Sequence, residues 1–356
     1  MKIGIFTGRT ISPLHPRIES IIGYLKREGI SFEIIPPLKR SFFSRINWFS
    51  LWFFDNHSIR SHRKKIKLYD VVFIQDLKYL PLAKAAKRNN KFVIYETLDN
   101  NVALRLYDLK KKLPVLKPFS NCINKFFTSY EKKYASKYCD KVIVNSKALR
   151  EYFENKAELI YYCSSFEILK ECNNEQKLPA LIYLGEFSVE KGADDVLRIS
   201  TQFQIPLFIF GTIRSNNHKI AINSNSLVKH TDRISHKELT LQLENLLRNY
   251  FLIGTSFIKP VHFSYATQEA NKDIDYLSMG IPIIGNHRLP TEEKILAGCG
   301  VFLEDNIKIE QLISDQKFRS VLSKRCKEYY NTYYSISEFE TKIDNAFRLI
   351  RNHKND

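Results

Sequence analysis

The sequence has little of several residue types, and each shortage excludes a class of protein. Only 12 glycines and 12 prolines occur in 356 residues, which excludes fibrous and low-complexity chains. The 6 cysteines form no Cys-x-x-Cys pair and no cluster with histidine at metal-ligand spacing, so we predict neither a zinc site nor a redox motif. No apolar run approaches the ~20 residues that span a bilayer, and polar residues follow the N-terminal strand too soon for a signal peptide. We therefore expect a cytoplasmic protein with free thiols.

What is present is a globular composition with an uneven charge. A length of 356 residues favours two domains, and 44% hydrophobic residues can supply a core for each. The net charge is +17, and the excess lies entirely in residues 1–165, which contain 31 basic and 14 acidic side chains. Residues 166–356 contain 24 of each. The first half is therefore expected to face an anionic partner such as nucleic acid, an acidic membrane or a phosphorylated substrate.

Short apolar runs alternate with longer segments of helical period, which predicts parallel sheets covered by crossover helices. The pattern runs once through residues 1–165 and restarts at residue 180, after a polar stretch at 166–179 that we interpret as a linker. We predict an α/β protein with two Rossmann-like doubly wound domains, 1–165 and 180–325, facing a cleft. A C-terminal helix at 326–356 is expected to return toward the N-terminal domain and pack across both.

Three loops lie where open α/β sheets bind ligands, at the carboxyl ends of strands and before helix N-termini. They comprise residues 7–10 (TGRT), 185–192 (GEFSVEKG) and 271–276 (NKDIDY). Two of the three are in the second half, which predicts a nucleotide site there.

Residues 271–284 (NKDIDYLSMGIPII) resemble the N-K-x-x-E-Y-x-x-x-G-x-P-V-I signature of the retaining GT-B glycosyltransferases of family 4, which assemble bacterial glycans. Residues 184–192 (LGEFSVEKG) are similar to that family's G-R-x-x-x-x-K-G loop. Residues 15–18 (HPRI) look like a D-P-R-V motif near the N-terminus of one branch of that family. The segments 69–77 and 140–146 also resemble the family in the character of their residues. The resemblance therefore covers nearly the whole chain.

The resemblance implies a GT-B fold and transfer of a sugar from a nucleotide-sugar donor with retention at the anomeric carbon. By resemblance, Lys191 holds the diphosphate and Asp275, where the family has Glu, accepts hydrogen bonds from the ribose. The implied donor site is completed by Gly185, Glu186, Gly211, Ile234, Lys272 and Tyr276. Catalysis is assigned to Lys191, with Asp99 and Glu96 orienting sugar hydroxyls, and acceptor contacts to Gly8, Arg9 and Arg17. No metal or other cofactor is expected.

Three positions depart from the family pattern. Glu186 replaces the arginine that follows the first glycine, Thr267 replaces the first Glu of an E-x7-E pair, and Leu98 replaces a histidine often found near the transferred sugar. Glu186 and Leu98 favour one alternative hypothesis, a catalytically degenerate GT-B protein that acts as a binding or scaffolding module. A second alternative is a GT-B sugar-nucleotide epimerase or phosphorylase.

Each site residue also has an ordinary structural interpretation. Lys191 could be a solvated loop lysine, and Lys272 a surface charge. Asp275 could be an acidic residue favoured by the helix dipole, and Arg9 and Arg17 could each pair with a nearby carboxylate.

The segment 41–67 contains both tryptophans and a cluster of phenylalanines bordered by cations. An apolar helical face of this kind is typical of an interfacial helix on an anionic membrane, although a helix packed on its own sheet is the alternative. We predict membrane contact through Trp48, Phe49, Trp52 and Phe53.

Together these observations give one leading hypothesis, a hexosyltransferase that is peripheral on the cytoplasmic face of a bacterial inner membrane. Its acceptor would be a polyprenyl-diphosphate-linked or lipid-A-core glycan, a precursor of lipopolysaccharide, O-antigen or capsule. No helix-turn-helix, zinc or RNA-binding signature occurs, so no specific nucleic-acid partner is expected.

Overall fold

The computed structural model describes residues 1–7, 16–38, 54, 56–154, 156–166 and 176–352. Within them, two six-stranded sheets are formed, with the orders β2-β1-β3-β4-β5-β6 and β12-β11-β10-β7-β8-β9. Every strand pair in both sheets is parallel. The predicted pair of doubly wound parallel sheets is therefore confirmed.

The first sheet forms because its strands are short apolar runs that can be buried on both faces. Its strands are β1 (Lys2–Thr7), β2 (Ser31–Ile35), β3 (Val71–Gln75), β4 (Phe92–Thr97), β5 (Lys141–Val144) and β6 (Glu158–Leu159). Its helices are α1 (Pro16–Arg27), α2 (Asn56–Lys65), α3 (Leu82–Arg88), α4 (Asn101–Lys112), α5 (Ser120–Tyr138) and α6 (Lys147–Tyr152). All five residues of β3 are buried, as expected for the strand between β1 and β4.

The second sheet is built in the same way. Its strands are β7 (Leu178–Leu184), β8 (Leu207–Phe210), β9 (Val228–Thr231), β10 (Tyr250–Ser256), β11 (Ile283–Gly285) and β12 (Gly300–Phe302). Its helices are α7 (Ala193–Gln202), α8 (Asn216–Asn223), α9 (His236–Asn249), α10 (Phe263–Thr267), α11 (Asn271–Ser278), α12 (Leu289–Lys294), α13 (Asn306–Ser314) and α14 (Gln316–Tyr333). The core of this sheet includes Tyr183, Leu207, Ile253 and Ile284, each no more than 1% exposed.

The last helix, α15 (Ile336–Asn352), is separate from α14, although the sequence suggested one continuous helix. The break lies at Tyr334 and Ser335, where the Ser335 hydroxyl accepts a hydrogen bond from the backbone N–H of Glu338 at 3.3 Å. A serine at this position is an N-cap, which begins a new helix. No helix in the described part of the chain is long and apolar enough to cross a membrane.

The contacts divide the chain into two units that are not continuous in sequence. The first unit consists of Met1–Tyr161, His262–Ser264 and Phe339–Asp356, and the second contains Tyr162–Val261 and Tyr265–Glu338. The change between units at Tyr162 therefore comes before the predicted linker at 166–179, and β7 begins two residues before the predicted start at 180.

Candidate functional site

Two glycines end adjacent strands of the second sheet and bring their backbones together. Gly185 follows β7 with φ of 109°, and Gly211 follows β8 with φ of 137°. A Cβ atom on Gly211 would lie 2.1 Å from the Gly185 carbonyl oxygen, so no side chain fits there. A Cβ atom on Gly185 would meet nothing within 4 Å, which leaves open space at the carboxyl end of β7. A ligand can therefore approach the backbone at this point.

The loop after Gly185 leads to the N-terminus of α7. Val189–Lys191 forms a 3-10 turn, and Gly192 turns the chain into the helix with φ of 79°. A Cβ atom on Gly192 would lie 2.4 Å from the Phe257 carbonyl oxygen, which makes glycine necessary here. The free N–H groups of a helix N-terminus favour an anion, and the half-buried Lys191 lies directly before it.

Lys272 lies in the first turn of α11 and is buried, with 9% of the residue exposed. Its Nζ is 4.2 Å from the centroid of the Tyr183 ring, and among the described residues no atom accepts a hydrogen bond from it. Burial is the main reason that the pKa of Lys272 falls to about 7; the Asp273 carboxylate opposes this shift, and the positive charges of Lys191 and Arg288 add to it. The Lys191 and Lys272 side chains are thus near enough to repel each other, and the buried Lys272 Nζ makes no hydrogen bond within the described residues.

Asp275 lies one turn further along α11 and is 8% exposed. Its Oδ1 accepts a hydrogen bond from the Ser164 hydroxyl at 2.7 Å, and the Tyr162 hydroxyl also donates to the carboxylate. Burial nevertheless raises the pKa of Asp275 to about 7. Ser164 and Tyr162 were not identified from the sequence, because no local signal links them to a carboxylate 111 residues away.

Tyr276, predicted to contact the donor, is instead a core residue. It is fully buried, and its hydroxyl donates to the Ile182 carbonyl oxygen at 3.2 Å and accepts from the Leu184 backbone N–H at 3.0 Å. Its ring lies against Gly254, where an added Cβ atom would come within 2.4 Å. The tyrosine therefore fixes α11 to β7 and β10 and positions its neighbours.

Two buried ion pairs surround α11. Arg288 contacts Asp273 at 3.3 Å, and Lys294 contacts Glu269 at 2.7 Å. Glu269, the carboxylate nearest to the position of the missing E-x7-E residue, is thus paired with a lysine of α12. These side chains hold the helix in place, since each buried charge has an opposite charge beside it.

The Glu186 carboxylate, which stands where the family has arginine, pairs with Arg214 at 2.8 Å. Arg214 comes from the loop after β8, and its side chain is 70% exposed. A cation is therefore present beside the Gly185 loop, although it comes from another strand end. Ile234, also predicted for the donor site, is half-buried next to Ser235, the N-cap of α9.

In the first unit, Arg17 and Glu96 are both fully buried and pair with each other at 2.8 Å. The second carboxylate oxygen of Glu96 accepts from the Gln75 amide at 2.8 Å, and Arg17 also donates to the Tyr161 carbonyl oxygen at 2.7 Å. The predicted acceptor contact of Arg17 and the predicted role of Glu96 toward sugar hydroxyls stay predictions, because both side chains are paired here while Glu96 also lines the small cavity that Asp99 lines. Both side chains are occupied within the core at the carboxyl ends of β3 and β4.

Asp99 remains accessible, because it is half-buried in the loop after β4. With Leu98 and Asn101 it lines a small cavity of about 30 Å³. Gly8 and Arg9 lie outside the described residues, as do Trp48, Phe49, Trp52 and Phe53. Within the described part of the chain, no group of histidine, cysteine and acidic side chains is arranged to hold a metal ion.

No protein-family model matches the chain, and no curated protein matches it in sequence. Solved structures match over nearly its whole length. An alpha,alpha-trehalose-phosphate synthase (UDP-forming) from Burkholderia xenovorans, in complex with glucose-6-phosphate, aligns over 99% of this chain and 100% of its own at 7% identity and a TM-score of 0.63. A trehalose-6-phosphate protein from E. coli, bound with UDP-2-fluoro glucose, aligns over 97% and 98% at 8% identity and a TM-score of 0.62. AviGT4, a glycosyltransferase involved in avilamycin A biosynthesis, aligns over 98% of both chains at 10% identity and a TM-score of 0.55.

The chain has the GT-B fold. Both sheets of that fold are complete here, and the second supplies a glycine-lined opening, a helix N-terminus and two lysines near one another. The structure therefore brings Gly185, Gly211, Lys191 and Lys272 to the carboxyl edge of the second sheet or the helices beside it.

Proposed function

We propose that the protein is a glycosyltransferase whose second unit binds a nucleotide-sugar donor. The observation that carries the proposal is the Lys272 ammonium, which is buried and has no hydrogen-bond acceptor among the described residues. An unpaired buried cation is costly, and a bound anion removes that cost. Structures with similar folds support the choice of anion, since one is bound with UDP-2-fluoro glucose.

Lys191, Lys272 and the N-terminus of α7 would act together on the diphosphate. Negative charge develops on the leaving diphosphate oxygen as the glycosidic bond to the nucleotide breaks. Fixed positive groups at that place lower the barrier, since they stabilise the transition state more than the ground state. Because lysines and backbone N–H groups can supply this charge, the proposal needs no metal ion. Retention at the anomeric carbon is part of the proposal through the family resemblance.

Asp275 is proposed to accept hydrogen bonds from the ribose. One of its oxygens is already held by Ser164 at 2.7 Å, which fixes the orientation of the carboxylate. A carboxylate oriented in this way loses little rotamer freedom when a ligand binds. Because burial raises the pKa of Asp275 to about 7, hydrogen bonding of the ribose to the carboxylate should strengthen as pH rises through 7.

The acceptor is proposed to be a membrane-linked glycan, carried by a polyprenyl diphosphate or by lipid A core. This part of the proposal is supported by the basic first half, with 31 basic and 14 acidic side chains in residues 1–165. Such an excess attracts an anionic membrane surface. The proposal includes a peripheral location on the cytoplasmic face of the inner membrane, and the positive charge supports the membrane contact.

A thermal-shift panel with UDP, GDP, CMP and their common sugars tests donor binding, since a ligand of the native state raises its stability. We expect one nucleotide to raise Tm by several degrees, and Lys191→Ala and Asp275→Asn to abolish the shift. Lys219→Ala, at an exposed lysine of α8, is the matched control and should keep the full shift. A panel without any shift would contradict the proposal and favour the scaffolding alternative, to which Glu186 and Leu98 point.

Turnover without acceptor separates the remaining enzyme hypotheses. Conversion of the sugar nucleotide in the absence of any acceptor would indicate an epimerase. Transfer to extracted lipid-linked glycan, lost in Lys191→Ala, is the result that a glycosyltransferase predicts.

A further inference from the structure

One surface of the first unit combines exposed apolar side chains with lysines. Its apolar members lie in the α4–α5 connection and on α5, and their exposed fractions are 74% for Val115, 61% for Phe119 and 63% for Phe126. The exposed lysines of the same stretch and helix are Lys111, Lys112, Lys117, Lys125, Lys133 and Lys137. We call these nine residues the α5 surface. Exposed apolar side chains bordered by polar residues mark candidate interaction surfaces.

The charge on the α5 surface has a single sign. Residues 109–130 contain five lysines and neither aspartate nor glutamate. The next carboxylate along α5, Glu131, is 1% exposed and accepts hydrogen bonds from Tyr95 at 2.6 Å and Tyr152 at 2.8 Å. Burial also raises the pKa of Glu131 to about 7. The charged side chains of residues 109–130 are therefore all basic, and the exposed Asp108 lies directly before this stretch.

A lysine-lined cavity continues the α5 surface toward the end of the helix. The cavity has a volume of about 400 Å³. It is lined by Lys132, Lys133, Ser136, Lys137, Val142, Phe153, Glu154 and Lys156. Glu154 pairs with Lys156 at 3.7 Å, and the other three lysines beside apolar side chains suit a molecule with an anionic head and an apolar tail.

One residue of the aromatic segment identified in the sequence, Phe54, contacts the same helix. Phe54, which directly follows Phe53, packs its ring against Phe127 at 5.8 Å and Tyr130 at 5.0 Å between centroids. Phe127 and Tyr130 belong to α5, so Phe54 packs on the helix that carries the α5 surface.

We propose that the α5 surface docks on an anionic phospholipid bilayer. Val115, Phe119 and Phe126 enter the boundary between head groups and acyl chains, while the lysines contact the head-group phosphates. Large apolar side chains bordered by cations favour this interface over nucleic acid, which would use the lysines but not exposed valine and phenylalanine side chains. The proposal does not depend on transfer activity, and it adds a place on the molecule to the membrane location proposed above.

Sedimentation of the full-length protein with vesicles tests the proposal. We expect binding to phosphatidylcholine vesicles with about a third phosphatidylglycerol, and little binding to pure phosphatidylcholine, because lysines near an anionic surface each contribute about fivefold to partitioning. Lys133→Gln/Lys137→Gln should then lower the partition coefficient by about 25-fold. Phe119→Ser/Phe126→Ser should lower it by about tenfold or more.

Two further measurements test whether binding to vesicles depends on the α5 surface in particular. Leu296→Ser/Ile307→Ser removes two exposed apolar residues of the second unit, 74% and 80% exposed, and should leave partitioning unchanged. An environment-sensitive dye on the exposed Cys122 of α5, in a background with Cys139→Ser and Cys172→Ser, should shift to shorter wavelength on docking. Circular dichroism confirms that each variant is folded.

Several outcomes would overturn the proposal. Equal binding to neutral and anionic vesicles would do so, as would unchanged partitioning in folded Phe119→Ser/Phe126→Ser. Binding to single-stranded RNA that the lysine variant loses and the phenylalanine variant keeps, with no vesicle binding, would assign the surface to nucleic acid instead. Loss of nucleotide binding in the thermal-shift panel would contradict the proposed function and leave vesicle docking untouched.

Discussion

Replacing Lys272 by methionine should make the unliganded protein more stable and unable to bind a nucleoside diphosphate. The two effects have one cause. The ammonium is buried and lies 4.2 Å from the Tyr183 ring centroid, with no hydrogen-bond acceptor among the described residues. Methionine has a similar length and fills the same space without charge. If Lys272 served only to stabilise the fold, its replacement would not both raise the stability and abolish nucleotide binding.

The size of the gain depends on pH. In the unfolded chain, Lys272 has the ordinary lysine pKa of 10.5, and in the folded protein burial lowers the pKa to about 7. Between these values the unfolded chain binds the proton and the folded protein does not. The free energy of unfolding of the wild type therefore rises with pH by about 1.4 kcal/mol per pH unit in this window. Below pH 7 the buried ammonium costs up to about 5 kcal/mol, and above pH 10.5 it costs nothing.

We expect Lys272→Met to raise the free energy of unfolding by about 2–4 kcal/mol at pH 7, because local relaxation and the lost contact with the aromatic ring offset part of the gain. This corresponds to an increase in Tm of roughly 5–10 °C. Thermal and denaturant melts between pH 6.5 and 9.5 measure it, and the difference between variant and wild type should shrink as pH rises. Asp275 also titrates near pH 7, but it is present in both proteins and its contribution cancels in the difference.

Lys294→Met is the matched control, because it removes another buried lysine of the second unit. Lys294 has a partner, Glu269, at 2.7 Å, so its removal leaves a buried carboxylate unpaired. We expect this variant to lose about 3–5 kcal/mol. The reasoning is refuted if Lys272→Met is less stable than the wild type at pH 7, or if it retains the full nucleotide-induced shift.

Three further predictions follow from the same contacts. Binding of UDP at pH 8 should take up close to one proton, because a diphosphate returns Lys272 to its charged form. Calorimetry in buffers of different ionisation enthalpy measures this uptake. It would be absent if the lysine were already charged. Glu186→Gln should tighten diphosphate binding by about fivefold and Arg214→Gln should weaken it, because Glu186 places a negative charge and Arg214 a positive charge beside the Gly185 loop. Affinities equal to that of the wild type, measured by calorimetry, would contradict this. Arg17→Met and Glu96→Leu should each cost about 3–5 kcal/mol in denaturant melts, because each leaves one buried charge unpaired, and the double variant should recover most of that loss. Additive single effects would count against a buried pair.

Much of the fold was predictable because burial on both faces of a parallel sheet requires continuous apolar runs. Residues 71–75 (VVFIQ) and 180–184 (ALIYL) are such runs, and both form buried strands. Turn positions were predictable as well, because Gly185 and Gly192 adopt positive φ angles that favour glycine. Local sequence carries this information, because it depends on side-chain size and backbone freedom.

Partners distant in sequence were not predictable. Arg17 and Glu96 are 79 residues apart, and nothing near either residue indicates that they meet in the core. Tyr276 directly follows Asp275, yet its hydroxyl reaches the backbone of β7 while the carboxylate reaches Ser164. In a buried helix such as α11, the direction of a side chain depends on its tertiary neighbours. A sequence motif does not identify those neighbours.

The placement of α15 has a consequence for how the chain is made. Tyr24 of α1 donates a hydrogen bond to Asp344 at 2.8 Å and stacks on Phe347 at 6.1 Å, and the Arg17 guanidinium lies 4.9 Å from the Phe339 ring centroid. The first unit to leave the ribosome is thus the last to be completed, because its final helix is translated after the whole second sheet. Until then, the face of α1 that receives α15 stays open to water and to chaperones, and a ribosome that stops before residue 339 releases a chain whose first unit cannot close.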